Sequence, residues 1–462
     1  MLSKSDYVQG YLECPCLLWL KKLRPDLIPE DFNADLEHIF EQGRLVDEEA
    51  KKLFPGGFEV SDFVFDGWKN TQSALKENHD VLFQPTAVAG EIHARADILT
   101  RDGKNWDLRE VKSSTGLRDD HIVDLAFQRL CFEGAKVPIG RTFLIHLNNR
   151  YVRHGAIEPK KLFKSEDVTE EVVAALPRVR ADIKKALAVL DWPKKPGERN
   201  VAACVDPAHC EYLGYYLAEL PAALRKKLEA ERYVAPLPDP AIVTIDQPAI
   251  RERLAGLSYP LQYLDYETFS PAIPMFDGYR PYQRIVFQYS LHIQDSPDGQ
   301  IRHEEFLEDQ AVDPTEHLAR TLGSQVEPGG TFVAWNASFE KGCNSEMGER
   351  APKFAKLFQS VNERMFDPMW LFKKRGGVYC HSGFCGSASL KKVLPVLVPE
   401  LSYKELEIQE GGTASESWPI LTDPKLPAVK RNKLRQDMLK YCGLDTLAMV
   451  RILEHLKEVS RS

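Results

Sequence analysis

Three prolines fall within the seven residues Val234-Ala235-Pro236-Leu237-Pro238-Asp239-Pro240, and no continuous helix can pass through them. Each proline pins its own φ and biases the residue before it towards extended conformation, so the stretch reads as a semi-rigid spacer. A chain of 462 residues is long enough for two or three cores, and the spacer divides it near the middle. The expected organisation is one α/β domain over residues 1–232, a proline-rich linker over 233–243 and a second α/β domain over 244–462.

Composition sets limits on function. Hydrophobic residues make up 43% and charged residues 28%, with no apolar run long enough to cross a bilayer, which suits a soluble globular protein. The segment Met1-Leu2-Ser3-Lys4-Ser5-Asp6 lacks a signal-peptide core, so a cytoplasmic location is expected. Nine cysteines, an odd number in a large chain, do not describe a secreted disulfide framework. The net charge of −8 argues against a protein that coats nucleic acid nonspecifically. Clustered acidic metal ligands would lower the total while short basic runs, such as Lys391-Lys392 and Lys430-Arg431, still met phosphates. Taken singly, each run reads as a solvated helix face.

The second half carries the sharper chemical signal. Tyr263 to Phe269 reads as a strand, so Asp265 and Glu267 project from one face. They sit among Tyr263, Leu264, Tyr266 and Phe269, where unpaired charge would be costly. Thr331 to Trp335 is a second apolar strand, and Asn336-Ala337-Ser338-Phe339-Glu340 brings a third carboxylate to a strand-to-helix junction. Tyr441 and Asp445 lie one turn apart on a helical pattern and share a face. Four carboxylates converging on one point would repel each other unless divalent cations neutralised them, and hard oxygen ligands suit Mg2+ or Mn2+. Asp367, which precedes Pro368, reads as a turn starter. Further elements are expected at 249–257 as a helix and at 284–293 and 301–306 as strands.

These motifs, spanning roughly Tyr259 to Leu456, resemble the DnaQ-like, or DEDD, exonucleases of the ribonuclease H-like fold. The resemblance implies Asp265, Glu267, Glu340 and Asp445 as metal-binding carboxylates, Tyr441 as the tyrosine that orients the attacking water, and 3'-5' exonuclease action. Glu340 departs from that pattern, being one methylene longer than the usual aspartate.

The first half has its own constellation. His93 to Leu99 reads as a strand, Arg101-Asp102-Gly103-Lys104 as a turn, and Trp106 to Ser113 as a returning strand carrying Glu110 and Lys112. A hairpin of this kind sets Asp97 beside Glu110, and Glu110 shares a face with Lys112. Two carboxylates can hold a cation, and the lysine can orient water for attack on phosphorus. An amphipathic helix, Asp119 to Gly134, follows with Gln128, and then an apolar strand, Thr142 to Leu147. Glu170 to Leu190 reads as helical with a break at Pro177.

From about Ser5 to Tyr216 this arrangement resembles the PD-(D/E)xK nucleases, particularly the RecB-type branch with its restriction-endonuclease-like fold. The resemblance implies Asp97, Glu110 and Lys112 as the core of a second nuclease site, with Gln128 as the branch-typical glutamine. Asp47 stands where that branch often has a metal-binding histidine, which makes it a candidate additional ligand. No residue beyond Pro240 is expected to complete this site. Some members of the branch hold an iron–sulfur cluster. Cys14, Cys204 and Cys210 match three of the four ligand positions, and Tyr215-Tyr216 stands near the fourth, so a complete cluster is not expected.

The combination resembles a group of bacterial proteins that join a RecB-like half to a DnaQ-like half. It implies a metal-dependent nuclease acting on DNA or RNA. The alternative is a nucleic-acid-binding scaffold or defence-complex component in which one or both sites are inactive.

Overall fold

The computed structural model describes residues 1–28, 34–60, 64–204, 219–231, 243–373, 375–384 and 386–461. The chain forms two compact units, Met1–Ala235 with Pro271–Tyr282, and Pro236–Ser270 with Gln283–Ser462. The division falls at the proline stretch, which itself lies outside the described residues. The segment Pro271–Tyr282, expected with the second half, packs with the first unit instead. Ala272 is fully buried in that unit's core and its N–H donates to Gln42 Oε1 at 2.9 Å. Arg153 N–H donates to Tyr279 O at 3.0 Å, and Gly278 N–H returns a bond to Arg153 O at 2.8 Å.

In the first unit six strands run in the order Phe58–Glu59, Val81–Phe83, Ile98–Asp102, Asn105–Lys112, Ile139–Leu147 and Phe163–Asp167. The strands Asn105–Lys112 and Ile139–Leu147 are parallel, which requires a crossover, and the helix Asp119–Gly134 supplies it. Ile98–Asp102 and Asn105–Lys112 form a hairpin whose turn residue Gly103 takes a φ of 61°. The expected single strand over 93–99 is divided. Ile92–Arg95 pairs in a separate small sheet with Leu2–Ser3 and Thr86–Ala89, and Asp97 sits in the bend before Ile98. Ala96 N–H donates to Pro85 O and Gln84 N–H to Asp97 O, so both hairpin arms leave one sheet for the other together.

The expected break at Pro177 does not occur, because Thr169–Val189 is one helix. Its buried residues Val172, Val179, Ile183, Ala186 and Val189 fall on both sides of the proline, and their shared burial offsets one lost backbone bond.

The second unit holds a five-stranded sheet in the order Ile301–Leu307, Ile285–Gln294, Leu261–Phe269, Thr331–Val333 and Met365–Phe366. The first three strands are antiparallel, and the last two run parallel to Leu261–Phe269. Every residue of Ile285–Gln294 is buried, as a strand covered on both faces requires. One cover is the helix Ala428–Arg461, which packs on Leu261–Phe269 and Ile285–Gln294. The helix expected at 249–257 spans Gln247–Leu254, capped by the Asp246 side chain. Both units are mixed α/β. No helix among the described residues is long and apolar enough to cross a membrane.

Candidate functional site

Asp265 and Glu267 alternate on Leu261–Phe269, opposite Ser290 and Gln288 of the neighbouring strand, and so face the same way. The helix Ala428–Arg461 lies over them with a buried stripe at helical spacing that includes Met438, Tyr441, Cys442, Asp445 and Met449. Ligand atoms of Asp265, Glu267 and Cys442 all lie within 4.8 Å of one another. The Cys442 thiol donates to Asp265 Oδ2 at 3.5 Å.

Glu340 arrives from the first turn of the helix Ala337–Arg350. Asn336, at the junction, takes the left-handed conformation with φ 65°, which asparagine tolerates better than most residues. The turn is braced by Asp367, which accepts N–H bonds from Asn336 and Ala337 at 3.1 Å and from Met369 at 3.0 Å. Asp367 therefore acts as a turn residue and supports the delivery of Glu340.

The four carboxylates sense one another. Burial first, then the charges of Asp445, Glu267 and Glu340, hold Asp265 well above the usual carboxylate range. Glu267 is raised by burial and by Asp445, against the opposing charge of Lys391. Burial pushes Glu340 up to about 8, with Asp367 adding to the shift, and pushes Asp445 up to about 6. The Asp445 shift is moderated by the hydrogen bond from the Tyr403 hydroxyl, by the Lys391 charge and by the nearby Tyr441 hydroxyl. Glu340 Oε2 is buried without a hydrogen-bond partner among the described residues. Buried, mutually repelling carboxylates with an orphaned oxygen fit a divalent cation held by hard oxygen ligands. The sulfur of Cys442 is a softer donor at the edge of the set.

The first unit gathers a different cluster. Lys112 Nζ lies 2.7 Å from Glu110 Oε1 and 2.6 Å from Asp124 Oδ2. Lys4, brought in by the first turn of the chain, reaches the same Glu110 oxygen at 2.6 Å. Gln128 Nε2 donates to Glu110 Oε2 at 2.7 Å and to Asp124 Oδ1 at 2.8 Å. Burial opposes the charge on both lysines, but the Glu110 and Asp124 carboxylates outweigh it and raise both ammonium groups. Asp97 Oδ2 accepts from Val111 N–H at 2.7 Å. Asp47 Oδ2 accepts from Gln84 at 3.1 Å, while Oδ1 is buried and unpartnered among the described residues. Burial pushes Asp47 up to about 6. The five expected residues Asp97, Glu110, Lys112, Gln128 and Asp47 thus share one neighbourhood, but two lysines and Gln128 already satisfy Glu110. Among the described residues no three ligand atoms in this cluster approach each other as closely as those around Asp265. A cavity of about 520 Å³ opens beside Lys112 and is lined by Ser114, Arg118, His121 and Tyr282. Tyr282 also donates to Ser113 O, so a residue beyond Pro240 borders this cavity.

Of the candidate cluster ligands, Cys14 Sγ donates to Ala203 O at 3.6 Å, which brings it next to Cys204 along the chain. Cys210 lies outside the described residues. Several residues of these clusters escaped the sequence reading or were only partly marked by it. Asp124 was accessible to it, one turn before Gln128 on the same helix face, and Cys442 adjoins Tyr441. Lys4 and Tyr403 carried no local signal, because only the fold brings them to these sites, and Lys391 was marked only as part of a basic run.

A family model described as a domain of unknown function, DUF2779, matches residues 262–389, a stretch that includes Asp265, Glu267 and Glu340 but ends before Tyr441 and Asp445. "Uncharacterized protein MG366 homolog" of Mycoplasma pneumoniae is 26% identical over 213 residues, covering 42% of this chain and 32% of that protein. "Uncharacterized protein MG366" of Mycoplasma genitalium is 24% identical over 216 residues, covering 43% and 32%. The matched stretch thus spans about a third of the length of these relatives, to which the chain is similar.

Proposed function

We propose that this protein is a metal-dependent nuclease whose principal centre is formed by Asp265, Glu267, Glu340 and Asp445. The observation that carries the reading is the convergence of these side chains from two helices and one strand, with Asp265 and Glu267 ligand atoms within 4.8 Å. A sheet of three antiparallel strands continued by two parallel ones supports a ribonuclease H-like, DnaQ-like architecture for the second unit. Divalent cations bound there would stabilise charge on the attacking and leaving oxygens of a phosphodiester. Tyr441, one helical turn from Asp445 on the same buried face, is suited to orient the attacking water, and the family resemblance points to exonuclease action. End-labelled single- and double-stranded DNA and RNA, incubated with Mg2+, Mn2+ or chelator, test the reading through the product ladder. Cleavage that persists in chelator, or in Asp265→Asn, would overturn it.

For the first unit a second reading is favoured by one observation. Glu110 and Asp124 are already neutralised by Lys4 and Lys112. A RecB-like unit closed in this way is better suited to bind and position nucleic acid than to hold a second metal centre.

A further inference from the structure

The basic pair Lys391-Lys392 opens the helix Leu390–Leu397, and the fold treats its two members differently. Lys392 is exposed, as a solvated helix face requires, whereas the Lys391 side chain retains only 27% of its exposure. Lys391 Nζ donates to Gln409 O at 2.7 Å and to Glu410 Oε2 at 2.6 Å. It also lies 5.3 Å from the ring centre of Tyr441 and 5.6 Å from that of Tyr403, within cation–π range of both. Tyr403 is the hydroxyl partner of Asp445, and Tyr441 lies one turn before Asp445 on the same helix face. The ammonium therefore stands beside the carboxylate cluster without bonding to any of its four acids among the described residues.

An ammonium has three N–H donors, and two are accounted for by Gln409 and Glu410. We propose, on the basis of the nuclease reading, that Lys391 is a substrate-binding residue of the second unit's centre, its third N–H taking a non-bridging oxygen of the nucleic-acid backbone. The fixed geometry suits this role. Glu410 and the Gln409 carbonyl hold the long side chain in place, so little rotamer freedom is lost when phosphate binds. Two aromatic faces beneath it keep the charge from collapsing onto Glu267 or Asp445. The effect of the Lys391 charge on both of those carboxylates agrees with its position beside the cluster.

The test uses short fluorescein-labelled single-stranded DNA and RNA, with Ca2+ in place of Mg2+, and follows anisotropy across a series of KCl concentrations. Mn2+ binding is measured in parallel by calorimetry for the wild type and Asp265→Asn. Lys391→Gln should weaken oligonucleotide binding about tenfold, as loss of one charge-assisted bond does. It should also reduce the slope of log affinity against log salt by about 0.7, the contribution of one phosphate contact on a single strand. Lys391→Arg should recover most of the affinity, Lys392→Gln should match the wild type, and Mn2+ binding should survive in Lys391→Gln. Wild-type affinity and slope in Lys391→Gln, with Mn2+ still bound through Asp265, would overturn this inference and leave the nuclease reading standing. A loss that follows a lowered melting temperature and is not rescued by Lys391→Arg would also overturn it, since the lysine would then only brace the fold. Mn2+ binding that ignores Asp265→Asn, or no oligonucleotide binding by the wild type, would remove the nuclease reading and this inference with it.

Discussion

The Cys442 thiol sits 3.5 Å from Asp265 Oδ2, joining a helix near the end of the chain to the strand that opens the second unit's sheet. A soft sulfur thus borders an otherwise hard oxygen site.

Thiophilic metals should exploit that sulfur. Cd2+ or Zn2+ should bind in competition with Mn2+ and inhibit cleavage, because thiolate is favoured by softer ions and is deprotonated on binding. Cys442→Ser should relieve Cd2+ inhibition while retaining Mn2+-dependent activity. Equal Cd2+ sensitivity in the variant would show that the sulfur is not a ligand.

Asp265→Asn should lower the cleavage rate by more than about a hundredfold, beyond the range typical of residues that only support a ligand. The fold should persist, since a neutral amide removes repulsion from Asp445 and Glu267. Circular dichroism and a melting curve on chelator-treated protein check this, with an unchanged or raised melting temperature expected.

Metal-free protein should lose stability as pH rises. Burial holds Glu340 near about 8 and Asp445 near about 6, above ordinary carboxyl values of about 4. Between those limits the folded state keeps protons that the unfolded chain has released, so unfolding free energy falls with pH. The penalty is absent below about pH 4 and complete above about pH 8. Melting temperatures recorded in chelator from about pH 5 to pH 9 should decline, Glu340→Gln should flatten the decline, and Mn2+ should reverse it. A profile that rises over this window would contradict the assignment of Glu340 to a buried acidic cluster.

Tyr441→Phe should reduce kcat by about 10²-fold or more, the usual scale for losing a group that positions or moves a proton, with little change in KM. The substitution removes the hydroxyl one turn from Asp445, while the ring remains beside Lys391. A KM effect with unchanged kcat would instead assign Tyr441 to substrate binding.

In the first unit, Lys112→Ala should cost about 1–3 kcal/mol of stability, less than breaking an isolated buried pair, because Lys4 remains to hold Glu110. Lys4→Ala with Lys112→Ala should cost more than the sum of the single changes, as sharing one carboxylate requires. Denaturant melts of the single and double variants measure this coupling. Additive losses would show that the lysines do not share Glu110.

Much of the candidate site was readable because it depends on local periodicity. Alternation on a strand puts Asp265 and Glu267 on one face, helical spacing does the same for Tyr441 and Asp445, and Asp119–Gly134 was legible end to end from its amphipathic pattern. Local pattern also marked the Gly103 turn and the proline stretch at which the units divide. It misjudged Pro177, where burial on both sides of the proline outweighs one missing backbone bond, and it joined two strands that separate at Asp97.

The sequence alone therefore determined which carboxylates could face the same way within each element, because side-chain direction follows the backbone repeat. Tertiary structure decided what stands opposite them. Lys4 meets Glu110 from 106 residues away, Tyr403 meets Asp445 across 42, and Pro271–Tyr282 packs with the first unit. Contacts at such separations depend on how whole sheets and helices bury their faces, and no periodicity within one segment encodes them.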